Sequence, residues 1–418
     1  MSTRVWLFLG FLLVLSTLCW TQEQEPVIPP IETFMQIGSC TNPQISEDGN
    51  SIFFTTFMSG VDQVYRLLPS GWPYQLTVFK DGIDFYRISP SGRWIVVGAS
   101  VGGSEQSNLY LIDSETGSLF TLKQGKDVQH GSPLWSRCEK YVYFRSNEEN
   151  GRDFYIYRVN ISKGVVEPIW KHSGWNSPAF TPPDTTTIIV SHYESNMNND
   201  LYLLNLEDGS ERLLTRHDGD YLFIYPRLSP EGDCLYLLTN LNEDGLMRVA
   251  RMSLEDGKTE FINAHSRWET EEMDLSPDGR FLGWVENVEG YGTLYILDLL
   301  TGEKTELTEL KGIVSNIDFS ATGVLVFTFS SASQPPDIWK YRISDSSLVK
   351  LTSSTFAGVD PSLFVEPQLV RYKSFDGLKI PAFLYLPPNW QGGPIPFVIH
   401  IHGGPESQFR PGFIRHFQ

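Results

Sequence analysis

The chain has 418 residues, 20% of them charged, and a formal net charge of -18. An acidic balance of that size argues against a nucleic-acid binder, which shows basic patches, and 41% hydrophobic content is ample for large buried cores. Three cysteines remain after the N-terminal segment, Cys40, Cys138 and Cys234, too scattered for a disulfide framework or a zinc site, and all three are read as packing residues.

Residues 1–21 read as a secretory signal. Arg4 supplies the positive start, and Val5 to Leu18 is an apolar run shorter than the roughly 20 residues that span a membrane. The expectation is a secreted or periplasmic protein with no stable membrane span after cleavage. Residues 22–41 are a leader, with Gln22 to Pro30 polar and Pro-rich.

From residue 42 to 352 one pattern repeats. Leu275-Ser276-Pro277-Asp278-Gly279-Arg280-Phe281 shows it best: an apolar run, a Ser-Pro turn closed by Gly, and a new apolar run. Pro277 presets one φ, and Gly279 accepts the positive φ that other residues resist. The turn Ser or its stand-in recurs at Ser46, Ser89, Ser136, Thr181, Ser229, Ser276 and Ser320, at spacings of 43 to 48 residues. A steady period of this size marks propeller blades of four antiparallel strands. Closing pairs recur too, as Leu76-Thr77, Leu214-Thr215, Leu307-Thr308 and Leu351-Thr352. Seven copies, each with its own four strands, predict a seven-bladed ring whose seam rests on apolar packing between the first and last blades.

Some motifs are decoys. Gly98-Ala99-Ser100-Val101-Gly102 matches the nucleophile-elbow pattern, but a strand follows it where an elbow needs a helix, so Ser100 is read as a loop residue. His217-Asp218-Gly219-Asp220 is read as a turn, and no metal is expected. Asn160-Ile161-Ser162 is read as an accidental glycosylation sequon. The acidic loops Asp81 with Asp84, Asp218 with Asp220, and Glu269 with Glu271 and Glu272 could meet a peptide amino terminus; the plainer reading is solvated loops in an acidic protein.

The period stops after Thr352. Leu369 to Leu386 then reads as a hairpin through the tight turn Phe375-Asp376-Gly377. Pro396 to Ile401 reads as a buried strand running into His402-Gly403-Gly404-Pro405. A strand ending in His-Gly-Gly suits an oxyanion hole, because glycines let backbone N–H groups approach a developing negative charge. Gly403 and Gly404 are the candidate donors, with His402 as motif support.

Here the chain resembles the prolyl oligopeptidase family of serine peptidases, with its acylaminoacyl and dipeptidyl peptidase branches. Tyr372 to Ala382 looks like the entry into that family's catalytic domain, and His400 to Gln408 like its oxyanion loop. The resemblance implies an all-β seven-bladed propeller followed by the truncated start of an α/β-hydrolase domain over residues 353–418. It implies acyl transfer on short peptide substrates through a Ser-His-Asp triad, with no cofactor. None of the triad matches a residue of this sequence, so the chain by itself is expected to be inactive. The rival reading is a non-catalytic propeller that binds a peptide or protein.

Overall fold

The computed structural model describes residues 29–404 and 407–415; the segment read as a signal lies outside them. Seven four-stranded antiparallel sheets follow one another, each with its strands adjacent in chain order. Their innermost strands are Cys40–Ile45, Phe85–Ile88, His130–Trp135, Trp175–Phe180, Phe223–Leu228, Thr270–Leu275 and Ile313–Phe319, and these define blades 1 to 7. Among the described residues no helix is long and apolar enough to cross a membrane.

The repeat has a physical cause in its turn Ser. Ser276 Oγ accepts the Phe281 N–H at 2.8 Å and donates to Asp278 Oδ1 at 2.5 Å. The same buried acceptor holds Ser51 N–H to Ser46 at 3.0 Å, Trp94 N–H to Ser89 at 3.1 Å and Cys234 N–H to Ser229 at 3.2 Å. Each turn thereby satisfies a backbone donor that the hairpin would strand. Gly279 takes φ +73, and a Cβ there would fall 2.1 Å from Pro230 Cγ in the neighbouring blade's turn. A Ser276→Ala chain should lose about 1–2 kcal/mol, the cost of an unsatisfied buried N–H, read as a lower urea midpoint; an unchanged midpoint would show that the hydroxyl does not carry the turn.

The closing Thr has a matching role at the other end of the blade. Thr77 Oγ1 accepts the Val64 N–H at 2.8 Å and donates to Gln63 Oε1 at 2.6 Å. Thr215 does the same for Leu201 and Asp200 at 2.8 and 3.1 Å. Thr352 repeats it with Ile338 and Asp337 at 2.9 and 2.7 Å.

One apolar cluster fills each gap between blades. Phe53 and Ile88 pack blade 1 on blade 2, and Phe144 packs with Val96 between blades 2 and 3. Tyr143 packs with Val190, Phe223 with Ile189, Trp284 with Leu238, and Phe327 with Val285 in the next four gaps. The seventh cluster joins Ile45, Phe54 and Tyr65 of blade 1 to Val324, Val326 and Ile338 of blade 7. The ring is therefore closed, and each face of each blade is covered by a neighbour.

The seam holds more than apolar contact. Cys40 N–H donates to Pro336 O at 2.8 Å, Gly38 N–H to Thr355 O at 2.8 Å and Ile45 N–H to Asp318 Oδ2 at 2.7 Å. The stretch read as leader takes part: Phe34 and Ile37 are buried against Val359 and Phe364. Cys40 and Cys234 are buried, as a packing role requires, but Cys138 is exposed. It stands in the turn after Ser136, where three other copies carry the acids Asp48, Glu231 and Asp278, and a turn position faces solvent.

Beyond the ring, Gln368–Lys373 pairs with Lys379–Leu384 across a turn with Gly377 at φ +87. No α/β-hydrolase core forms among the described residues. The segment expected as a buried strand, 396–401, joins no ladder, and Phe397 and Val398 are 70% and 88% exposed. A strand apolar on both faces exists only between neighbouring strands, and none lies beside it.

Candidate functional site at the channel mouth

The innermost strands line a central channel that opens at both ends. The end carrying the Ser-Pro turns holds a cavity of about 210 Å³. The opposite end is larger, about 470 Å³, and its lining includes Asn42, Asp84, Tyr86, Tyr225, Glu272 and Asn316.

The residue two places before each turn Ser forms one level of the channel: Gln44, Arg87, Leu134, Ala179, Arg227, Asp274 and Asp318. Alternation within a strand puts the same repeat position on the same side of every blade, so seven equivalent residues become a ring. Arg227 Nε lies 2.9 Å from Asp274 Oδ1, and Asp274 Oδ2 accepts the Phe319 N–H at 3.1 Å. Burial, then the nearby charge of Asp274, pushes the Asp318 carboxyl up to about 7; Arg87 opposes the shift. The channel waist thus sets two guanidiniums against two carboxylates, one of them poised near neutrality.

The residue four places before each turn Ser forms the level nearer the larger cavity. Asn42, Ser132, Tyr225 and Asn316, from blades 1, 3, 5 and 7, all hold positive φ between 49 and 55. Each sits at a slip in the ladder between the two inner strands. A non-Gly residue in this region costs about 1–3 kcal/mol, and bulges of this kind turn side chains out of the regular pleat. Blade 6 contributes Glu272 at the same position, where the register also slips. Burial raises the Glu272 carboxyl above its ordinary range, and its Oε2 accepts the Ile317 N–H at 3.2 Å. Burial also raises the Tyr225 hydroxyl, with Glu272 adding to it. The mouth is therefore a ring of strained, polar and ionisable groups, held by seven rigid strands.

The hairpin and the tail rest on this face. Arg410 reaches Glu271 at 2.5 Å and Gly290 O at 2.9 Å, and Asn287 Nδ2 donates to Gln408 Oε1 at 2.8 Å. Phe383 meets Tyr291 edge-on at 5.8 Å. Glu366 accepts from Ser331 Oγ at 3.1 Å and from Ser333 N–H at 3.2 Å. Arg415 Nε donates to Ile37 O at 2.9 Å.

The acidic loops lie on the same face and are partly spent on loop architecture. Asp84 accepts from Ser100 Oγ at 2.9 Å and from Ser107 Oγ at 2.5 Å; Asp81 accepts the Gly102 N–H at 3.1 Å. Ser100 lies in the loop between strands Trp94–Ala99 and Asn108–Asp113, with no helix after it. His217 Nδ1 donates to Gly219 O at 3.0 Å across its turn. His402, Gly403 and Gly404 lie together on the exposed tail; a Cβ at Gly403 would meet nothing, and His402 Nδ1 donates to Gly403 O at 2.8 Å. No serine and base converge on them among the described residues.

A model of the prolyl oligopeptidase N-terminal β-propeller domain matches residues 82–354. The chain is 21% identical to dipeptidyl-peptidase 5 of Porphyromonas gingivalis over 302 residues, covering 71% of this chain and 40% of that protein. It is 27% identical over 224 residues to the Tol-Pal system protein TolB of Francisella tularensis, covering 52% and 49%. The chain thus spans half or less of the length of these relatives. Among solved structures, a puromycin hydrolase superposes with TM-score 0.77 at 16% identity, covering 93% of this chain and 66% of that one. A prolyl endopeptidase superposes with TM-score 0.72 at 15% identity, covering 87% and 58%.

Proposed function

The chain belongs to the prolyl oligopeptidase family, whose N-terminal propeller it carries, and on that premise we propose that it is the propeller-bearing part of a serine peptidase acting on short peptides. The observation that carries this reading is the meeting of two features on one face. The strained, ionisable ring at the channel mouth looks toward the side where the post-propeller hairpin and tail dock. A hydrolase domain seated there would enclose a peptide between its own surface and the ring. The propeller would then act as a sieve, since the cavity of about 470 Å³ admits a few residues and no folded domain.

In this reading residues 353–418 begin an α/β-hydrolase domain. The structural likeness supports it, because 93% coverage of the chain extends past the ring of residues 40–350. Gly403 and Gly404 would supply N–H donors to the oxyanion once 396–401 is flanked by further strands. We place none of the triad in these 418 residues. A nucleophilic Ser, activated by a His held by an Asp, would attack the scissile carbonyl, form an acyl-enzyme and release it to water. Removing the nucleophile or base from such a triad can cost about 10⁶-fold in rate. The protein would act outside the cytoplasm, as a secreted or periplasmic enzyme.

A fluorophosphonate probe tests this directly. The chain as given should show no labelled serine, Ser100 included. A reading frame extended past Gln418 should be labelled at a new serine and should cleave a chromogenic dipeptide. Labelling of Ser100 would overturn the assignment. A second reading, a propeller that binds a partner without catalysis, is favoured by the match to TolB; an extended chain that stays unlabelled yet retains peptide binding would select it.

A further inference from the structure

Among the described residues, Arg145 lacks the carboxylate partner that six other arginines have. Arg93, Arg137, Arg158, Arg227, Arg248 and Arg280 each pair with a carboxylate. Arg145 forms no ion pair among the described residues, although the chain holds 50 acids against 32 Lys and Arg. Burial lowers its pKa, and the one ionisable group acting on it is the Tyr193 hydroxyl. A half-buried cation without a counter-charge is costly, so something must offset it.

Its geometry is fixed. Arg145 lies on the second strand of blade 3, opposite Gly131 and beside the ladder slip that holds Ser132 at positive φ. Its guanidinium stands 4.3 Å from the Trp175 ring centre and 5.4 Å from that of Phe154. Nη1 donates to Ser177 Oγ at 3.0 Å. Ser177 is the blade 4 member of the mouth ring, four places before Thr181. Nε and Nη2 have no hydrogen-bond partner among the described residues and are not sealed from solvent. Gly131 keeps that edge open: a Cβ there would stand 3.3 Å from Nε. Trp175 itself is 43% exposed, so the stacked pair is open to solvent; it stands at the mouth end of blades 3 and 4, beside the residues that line the cavity of about 470 Å³ and not among them.

We infer that Arg145, stacked on Trp175 and steadied by Ser177, is an anchor for a carboxylate of a peptide entering the channel mouth. The inference rests on the reading that this mouth receives peptides. Guanidinium geometry matches a carboxylate through two parallel N–H bonds, and the aromatic stack holds the fork in place before the ligand arrives. On a face rich in acids, it offers a cation that no carboxylate among the described residues already pairs. The carboxylate could be a peptide's C-terminus or an acidic side chain.

Three probes separate these sources: N-acetyl-trialanine, its C-terminal amide, and N-acetyl-Ala-Glu-Ala amide. Two readouts apply to the full chain. One is calorimetric binding to the unaltered chain and to Arg145→Gln and Arg145→Lys. The other is the rate of phenylglyoxal modification at Arg145 in the unaltered chain, which needs no variant to fold. N-Acetyl-trialanine should bind at least about tenfold more tightly than its amide, the worth of a charge-assisted bond, and should slow modification at Arg145. Arg145→Gln and Arg145→Lys should both remove the preference. Protection by the Glu-containing amide instead would support the anchor and assign the side-chain source. Equal binding of acid and amide would overturn the anchor while leaving peptide binding intact. No binding and no protection by any probe would also overturn it, and the peptidase reading would still stand or fall by the labelling of the extended chain.

Discussion

An Asp337→Ala chain should lose about 3–5 kcal/mol of stability, the range expected when a buried carboxylate with several donors is removed. Asp337 is 1% exposed and accepts from Thr352 Oγ1 at 2.7 Å, Ser354 N–H at 2.9 Å and Ser354 Oγ at 2.9 Å. Lys350 Nζ lies 2.8 Å from its other oxygen. Lys350 is partly exposed and can turn to solvent, so most of the cost comes from the Ser354 N–H and the Thr352 hydroxyl, which lose their acceptor. The loss should not stay local. Ser354 Oγ also donates to Pro336 O at 3.0 Å, and Pro336 O accepts the Cys40 N–H that ties blade 1 to blade 7. Urea unfolding should show a lower midpoint, and limited proteolysis should find new cleavage near residues 352–356 before the rest of the ring opens. Asp337→Asn keeps an acceptor and should lose less. A midpoint unchanged in Asp337→Ala would show that the seam does not depend on this residue.

His130 should make the fold lose about 3 kcal/mol between neutral pH and pH 4, from a pKa of about 4 against the ordinary 6.5. Burial is the main cause of the shift; Lys123 adds to it and Glu148 opposes it. The ring is 4% exposed, lies edge-on to Phe144 at 5.8 Å, and neither nitrogen has a hydrogen-bond partner among the described residues. The folded chain therefore disfavours the imidazolium. This contribution is fully present above the unfolded pKa and is lost as pH falls through the folded one. Asp318 acts with the opposite sign. Its folded pKa is raised, so its contribution is present below the ordinary carboxylate range and is lost as pH rises through about 7. The two partly cancel in the wild type. Stability measured from pH 7.5 to 4.5 should fall less steeply in His130→Phe than in the wild type, and more steeply in Asp318→Asn. Equal slopes for His130→Phe and the wild type would refute the account.

Much of the ring was legible because its signals are local. The turn Ser recurs because its Oγ caps the same N–H in blade after blade, and the closing Thr recurs because it bridges the same strand to its neighbour. The channel residues escaped for a different reason. Arg87, Arg227, Asp274 and Asp318 share their column with Gln44, Leu134 and Ala179, so no one residue type marks it and reading along the chain finds nothing; aligning the copies and reading down the column two before the turn Ser finds all four. The bulges at Asn42, Ser132, Tyr225 and Asn316 carry no motif, since three residue types hold the same positive φ. Glu272 was noticed as part of an acidic run, but its pairing with the Ile317 N–H comes from blade 7 and cannot be read locally. The segment 396–401 has the composition of a strand and no ladder, because pairing is a property of neighbours and not of one segment. Residue type alone assigns Cys138 to packing, while its turn position decides its exposure.

Because each blade uses only its own four consecutive strands, no blade is privileged as first or last. The two ends of the circuit meet where Gly38 N–H donates to Thr355 O at 2.8 Å. A short linker there, with new termini cut in the loop between blades 3 and 4, would give a circular permutant that closes the same ring from a different starting point. Such a rearrangement would detach the tail from its place after blade 7 while leaving the pore unchanged, and so would separate what the ring binds from what is fused to it.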